Sequence, residues 1–357
     1  MDKIQSILRF YPLECRPSQI DPLGSAGGMS GAEFWRITAP RGTLALRRWP
    51  LEHPTPERLR FIHAVLRHAA QRDIAFLPLP IRATSGESFI CDAGHLWELA
   101  PWMPGTADYE RAPSIDKLCA AMQALAEVHI ALADCEPSEL PDLAATQRVA
   151  GPSPAVTRRL VQLHELQRGG ADKLSHAVTT ANWPELAPLA HRFLAALPAA
   201  VPRVIAQLAL LADMQFKLQP CLRDIWHDHV LFTGNEVSGL IDFGAVDIDS
   251  PTCDIARLLG SLVNDDISGW QTGLAAYSSI RPLSQDDIRA VIAIDSSGTV
   301  LAGCNWLRWV YVEGRRFDDH AQVIDRVRRI VLRCCNNASL GAQFPASSYI
   351  GRHLQSG

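Results

Sequence analysis

Two aspartates, Asp224 and Asp242, stand eighteen positions apart on either side of a run that reads as a loop and a hairpin. Apolar and polar residues alternate over 225–232, Gly234-Asn235 offers a turn, and residues 237–241 return as a strand. A segment of this length brings the two carboxylates near one another. Phosphoryl transfer needs such a pair: one acid takes the proton of the attacking hydroxyl, the other holds a divalent cation on the transferred phosphate. Two aspartates placed at turns read the same way, because Asp is a favoured turn residue. The stretch also carries His227 and His229, which share a face if the run is a strand. A hydrolytic metal centre is therefore a third reading, although a zinc site needs a third ligand and a general base.

The chain around this pair has 357 residues, 47% apolar and 20% charged, enough for two lobes with cores of their own. A net charge of −4 gives no electrostatic reason to expect nucleic acid or an anionic membrane as partner. Residues 1–5 lack the basic start of a secretory leader, and no stretch of eighteen uninterrupted apolar residues occurs, so no membrane span is expected. The nine cysteines show no Cys-x-x-Cys spacing and read as reduced thiols, which places the protein in the cytoplasm.

Residues 1–110 read as mixed α/β. A helix is expected over 2–10, then a glycine cluster at 24–31, then a hairpin of strands near 32–37 and 43–47. A helix follows over 57–70, and a second hairpin near 89–91 and 96–99, turned at Ala93-Gly94. Pro101-Trp102-Met103-Pro104-Gly105 interrupts the pattern and is read as a hinge. The expected division is 1–103, a nucleotide-binding lobe, and 104–357, a catalytic and substrate lobe. Ser114 reads as the N-cap of a helix, 135–155 as a loop, and further helices are expected over 156–168, 185–197, 253–263, 285–304 and 318–335. The expected class is α+β, with a small β-rich N-terminal lobe and a larger α-rich C-terminal lobe.

Taken in this order, the segments resemble the aminoglycoside phosphotransferase and choline kinase-type family, small-molecule phosphotransferases of protein-kinase-like fold. Leu222-Arg223-Asp224, with His229 five residues on, stands where that family reads His-Gly-Asp or His-Arg-Asp, four residues and Asn. Ile241-Asp242-Phe243-Gly244 matches its Ile-Asp-Phe/Trp-Gly, and Asp254-Ile-Ala-Arg-Leu resembles the helix start that follows. Gly27-Gly28-Met29-Ser30-Gly31 falls where a phosphate-covering loop lies, Arg47 on the strand that presents a cation, and 97–105 at the hinge.

The resemblance implies an ATP- or GTP-dependent phosphotransferase acting on a small hydroxyl- or amine-bearing acceptor. Asp224 would be the base and Asp242 the metal ligand. Gly28, Ser30, Gly31 and Arg47 would meet the phosphates, and Pro101 and Met103 would meet the adenine through a carbonyl and an amide. Mg²⁺ is the implied ion. His229 replaces the metal-binding Asn: either it contributes a nitrogen to a less usual metal site, since an imidazole suits Mn²⁺ or Zn²⁺ better than Mg²⁺, or it holds Asp224 by a hydrogen bond while Asp242 carries the metal with waters; Mn²⁺ is the alternative ion. That replacement also leaves open a catalytically silent, kinase-like nucleotide-binding or regulatory module. The helix over 57–70 should offer a Glu to orient Arg47, yet Glu57 lies at its start and the matching position falls on Ile62 or His63. Asp247 and Asp249 are expected on the acceptor side, favouring a cationic acceptor such as an amino sugar or amino alcohol, although solvated loop acids read the same. Neither the acceptor nor the oligomeric state follows from the sequence.

Overall fold

Five antiparallel strands form the main sheet of the protein, seen here in a computed structural model that describes residues 2–25, 31–135, 150–180, 183–317 and 319–340. The strands are β1 (Gln19–Gly24), β2 (Glu33–Ala39), β3 (Gly42–Arg48), β4 (Ile90–Asp92) and β5 (His95–Pro101), in the order β1-β2-β3-β5-β4. Alternation sorts their side chains. Leu44, Leu46, Trp97 and Leu99 point to one face and are buried under Ile4, Ile7 and Leu8 of helix α1 (Asp2–Leu8) and Tyr11 beyond it. The opposite face carries Arg47, Leu96 and Glu98. Helix α2 (Pro56–Ala70) brings Leu59 to this side, packed with Trp49, Phe89 and Leu96. Thr55 caps α2, its hydroxyl accepting from the Arg58 amide at 3.2 Å, with Pro56 in the first turn.

The chain divides into two compact units, residues 1–147 with 224–246, and residues 148–223 with 247–357. The segment after Pro101 lies inside the first unit. The reason is pairing: Thr106 bridges Phe232, which ties the segment to a hairpin from far along the chain. Helix α3 (Ile115–Ala131) completes this unit, with the Ser114 hydroxyl accepting from the Lys117 amide at 3.1 Å.

The second unit is mainly helical. After the two-residue strand β6 (Ala150–Gly151) come α4 (Pro154–Glu165), α5 (Ala171–Thr180) and α6 (Ala187–Ala209). Strands β7 (Phe216–Lys217) and β8 (Gln219–Cys221) lead out of it at Arg223. In the first unit lie β9 (Val230–Thr233) and β10 (Glu236–Leu240), and the chain re-enters the second with β11 (Asp247–Asp249). Helices α7 (Thr252–Val263), α8 (Ile267–Ile280), α9 (Gln285–Leu307) and α10 (His320–Leu340) follow.

Helix α6 runs twelve residues beyond the expected end at 197, through Pro198 and Pro202. Each proline forfeits an amide bond, and the buried stripe of Phe193, Leu197, Ala200, Val201 and Val204 holds the helix together. Helices α5 and α8 were not expected; both are rich in Ser, Thr, Gly or Ala, which blur an apolar period. Two helices, Ala187–Ala209 and Gln285–Val312, are long and apolar enough to cross a membrane by length and composition alone, and both pack within the helical unit.

Candidate active site

Asp224 follows a residue of left-handed backbone whose amide is held by a carboxylate. Arg223 and Asp242 both adopt left-handed φ values, 65° and 62°, a conformation in which Asp is tolerated and Arg is strained. The carboxylate of Asp254, fully buried in the first turn of α7, accepts from the amides of Leu222 and Arg223, both at 2.6 Å. Asp254 therefore fixes the two residues that precede Asp224. The neighbouring Cys221 is no nucleophile: burial pushes its thiol up to about 11.

Residues 227–229 form a single 3-10 turn, and β9 begins only at Val230. The expected alternation from 225 is thus broken, and His227 and His229 do not share a face. His227 lies 3.7 Å from Glu110 and 3.4 Å from Asp228, while His229 turns to Asp224 and Asp242. This separation removes the two-histidine metal centre. The β9–β10 pairing, extended by the Ile241 amide donating to the His229 carbonyl at 3.0 Å, sets Asp242 beside His229. The imidazole Nδ1 is 2.7 Å from the Asp224 carbonyl oxygen, the Trp226 indole N–H donates to Nε2 at 2.9 Å, and Nε2 is 3.8 Å from Asp242 Oδ2.

Those partners fix the tautomer. A carbonyl only accepts, so Nδ1 carries the proton; an indole N–H only donates, so Nε2 keeps its lone pair. In this arrangement Nε2 accepts from Trp226 and lies 3.8 Å from Asp242 Oδ2. Asp242 is half-exposed and Asp224 partly buried.

Arg47 reaches the same place from β3. Its guanidinium lies 3.3 Å over the Trp49 ring, 3.9 Å from Glu98 Oε1 and 3.7 Å from Asp242 Oδ1. The glutamate sought on the helix is supplied by the sheet: Arg47 and Glu98 are direct cross-strand neighbours. Helix α2 contributes His63, which joins Glu98 Oε2 at 2.6 Å and Ser88 Oγ at 2.8 Å. Burial alone would raise the Glu98 carboxyl, but the His63 bond and the charges of His63 and Arg47 outweigh it and hold the acid below its ordinary value. Burial pulls Arg47 down, opposed by Glu98 and Asp242. Glu98 was legible only as an acid among apolar neighbours on a strand, since sequence does not give the register that puts it opposite Arg47.

The remaining expected residues divide. Pro101 ends β5, and the Met103 side chain lies across Gly239 of β10, where an added Cβ would meet Met103 Cβ at 2.8 Å. The hinge and the hairpin bearing Asp242 are therefore packed together. Gly31 has φ +73°, while Gly28 and Ser30 lie outside the described residues. Asp249, expected on the acceptor side, is instead fully buried, and its carboxylate accepts from Ser153 Oγ at 2.8 Å, the Ala155 amide at 3.1 Å and Arg158 at 2.7 Å. It clamps the start of α4 and has no face left for an acceptor. Asp247 is half-exposed and paired with Arg223 at 2.7 Å.

A family model described as the phosphotransferase enzyme family matches residues 24–288, about three quarters of the chain. The chain belongs to this phosphotransferase enzyme family. Among its relatives, the homoserine kinase of Afipia carboxidovorans is 26% identical over 250 residues, 68% of this chain and 65% of that protein. The homoserine kinase of Xanthobacter autotrophicus is 24% identical over 268 residues, 73% and 72% of the two chains. The chain thus spans a little under two thirds of the Afipia relative's length.

Among solved structures, a spectinomycin phosphotransferase in complex with ADP and spectinomycin superposes with a TM-score of 0.68 at 11% identity, covering 94% of this chain and 97% of that one. Choline kinase from Cryptosporidium parvum gives 0.57 at 14% identity, covering 97% and 98%. At these identities the likeness establishes the fold, which is kinase-like: an antiparallel sheet in the N-terminal region and a helical C-terminal region.

Proposed function

We propose that the protein transfers the γ-phosphoryl group of ATP, or of GTP, to a hydroxyl of a small acceptor, with Asp224 as general base. One observation carries the reading: a single turn links the Asp224 backbone to His229, beside Asp242, with Arg47 3.7 Å from the same aspartate. Asp224 takes the proton of the attacking hydroxyl as the bond to phosphorus forms. Arg47, steadied by Glu98 and Trp49, neutralises phosphate oxygens. Its fork of donors matches them. The Pro101 carbonyl and Met103 amide receive the adenine edge, and Gly28, Ser30 and Gly31 cover the phosphates.

The donor set fits a divalent cation: a half-exposed carboxylate oxygen of Asp242 and the lone pair of His229 lie 3.8 Å apart. Mg²⁺ or Mn²⁺ bound there would draw charge from the transferred group. The relatives named homoserine kinase make a hydroxy amino acid the first acceptor to try. A cationic acceptor loses its support, because Asp249 is buried and Asp247 is paired with Arg223. We place this activity in the cytoplasm.

The test is transfer of labelled γ-phosphate to homoserine, amino alcohols and amino sugars, by wild type and Asp224→Asn. Phosphorylated acceptor with wild type, and a loss of at least about 10²-fold in the variant, is expected. Nucleotide binding without transfer to any of these acceptors would favour the silent module.

A further inference from the structure

The hydrogen bonds around His229 say more than that it occupies the asparagine position. A histidine that ligates a metal through one ring nitrogen characteristically donates the other N–H to a carbonyl or carboxylate, which fixes tautomer and ring orientation. His229 is already set this way: Nδ1–H is held by the Asp224 carbonyl at 2.7 Å, and the Nε2 lone pair lies 3.8 Å from Asp242 Oδ2. The lone pair is occupied by the Trp226 indole N–H at 2.9 Å. One lone pair serves one partner at a time, so the indole and a cation compete for it.

We infer that His229 Nε2 and Asp242 form a mixed nitrogen–oxygen divalent-cation site that selects Mn²⁺ over Mg²⁺, with the Trp226 indole as the cap the ion displaces. The inference rests on the phosphotransferase reading of the site. Imidazole nitrogen ranks Mn²⁺ above Mg²⁺, whereas an asparagine carbonyl, a hard oxygen, does not. Trp226 gives up a single hydrogen bond. Removing that bond by Trp226→Phe therefore tightens the ion by about three- to tenfold.

The direct probe is Mn²⁺ bound to the full chain with a non-hydrolysable ATP analogue, read by pulsed electron paramagnetic resonance for coupling to a directly bound ¹⁴N. Coupling in wild type, lost in His229→Asn, is expected. In parallel, competition between the ions should show Mn²⁺ preferred by about tenfold or more in wild type, with the preference collapsing in His229→Asn. Trp226→Phe should keep the nitrogen coupling and bind Mn²⁺ more tightly.

Mn²⁺ bound with the nucleotide but without nitrogen coupling overturns this inference and leaves the phosphotransferase reading standing. Failure of both ions to support nucleotide binding overturns both. Wild-type protein alone decides the coupling, so an unfolded variant does not blunt the test.

Discussion

Glu98 does for Arg47 what a helix residue was expected to do, and the difference has consequences at that residue. Because Arg47 and Glu98 face each other across β3 and β5, their pairing is set by sheet register, with α2 adding only His63. Glu98→Gln should leave Arg47 with a weaker partner and cost about 2 kcal/mol, read as a lower urea midpoint at constant m-value. The same acid predicts a pH dependence. Its folded pKa lies below the ordinary 4.5, so its contribution is complete above that value and fades as pH falls through the lower folded value. Urea midpoints of wild type should thus fall more steeply on acidification than those of Glu98→Gln. Equal slopes would show that the depressed acid is not contributing.

Elements in this protein are fastened by positions where a side chain has no room. Gly105 has φ +92°, and a Cβ there would lie 2.2 Å from Ser238 Oγ and 2.6 Å from the Phe232 carbonyl oxygen. Gly105→Ala should cost about 1–3 kcal/mol and loosen the segment that carries Met103, raising the KM for nucleotide more than it changes kcat. In the helical unit, a Cβ at Gly303 of α9 would meet the Phe193 ring of α6 at 2.2 Å. Gly303→Ala should lower the thermal midpoint with nucleotide KM unchanged, at a cost of about 1–3 kcal/mol.

Much of this element order was legible beforehand. The hairpin β2–β3, the helices α2 and α3, and the turn at Gly234-Asn235 all follow from period and punctuation. Less legible was anything set by register or by tertiary support. The 3-10 turn at 227–229, the run of α6 through two prolines and the burial of Asp249 depend on partners distant in sequence, which local pattern does not encode.

At the scale of the whole molecule, Asp224 and Asp242 belong to a unit assembled from two stretches of chain, 1–147 and 224–246. Asp224, Asp242 and Arg47 were legible as candidates because each sits in a short motif. Glu98 was not legible, because it acts through sheet register, whereas His63, one of the two helix positions matched to the orienting residue, does reach Glu98. A ligand that binds the folded chain alone stabilises it by about 2.7 kcal/mol at a hundredfold excess over Kd. ATP analogue with Mn²⁺ should therefore raise the thermal midpoint of both wild type and Asp224→Asn, since the proposed base is placed at the acceptor hydroxyl and not on the nucleotide.

The most direct measurement of the central claim is single-turnover transfer of labelled phosphate from ATP to homoserine and the other acceptors, run beside that binding assay. The account predicts transfer to one of these acceptors by wild type, and intact nucleotide binding with transfer abolished in Asp224→Asn. Undiminished transfer by Asp224→Asn, or no nucleotide binding by wild type with either ion, would contradict it.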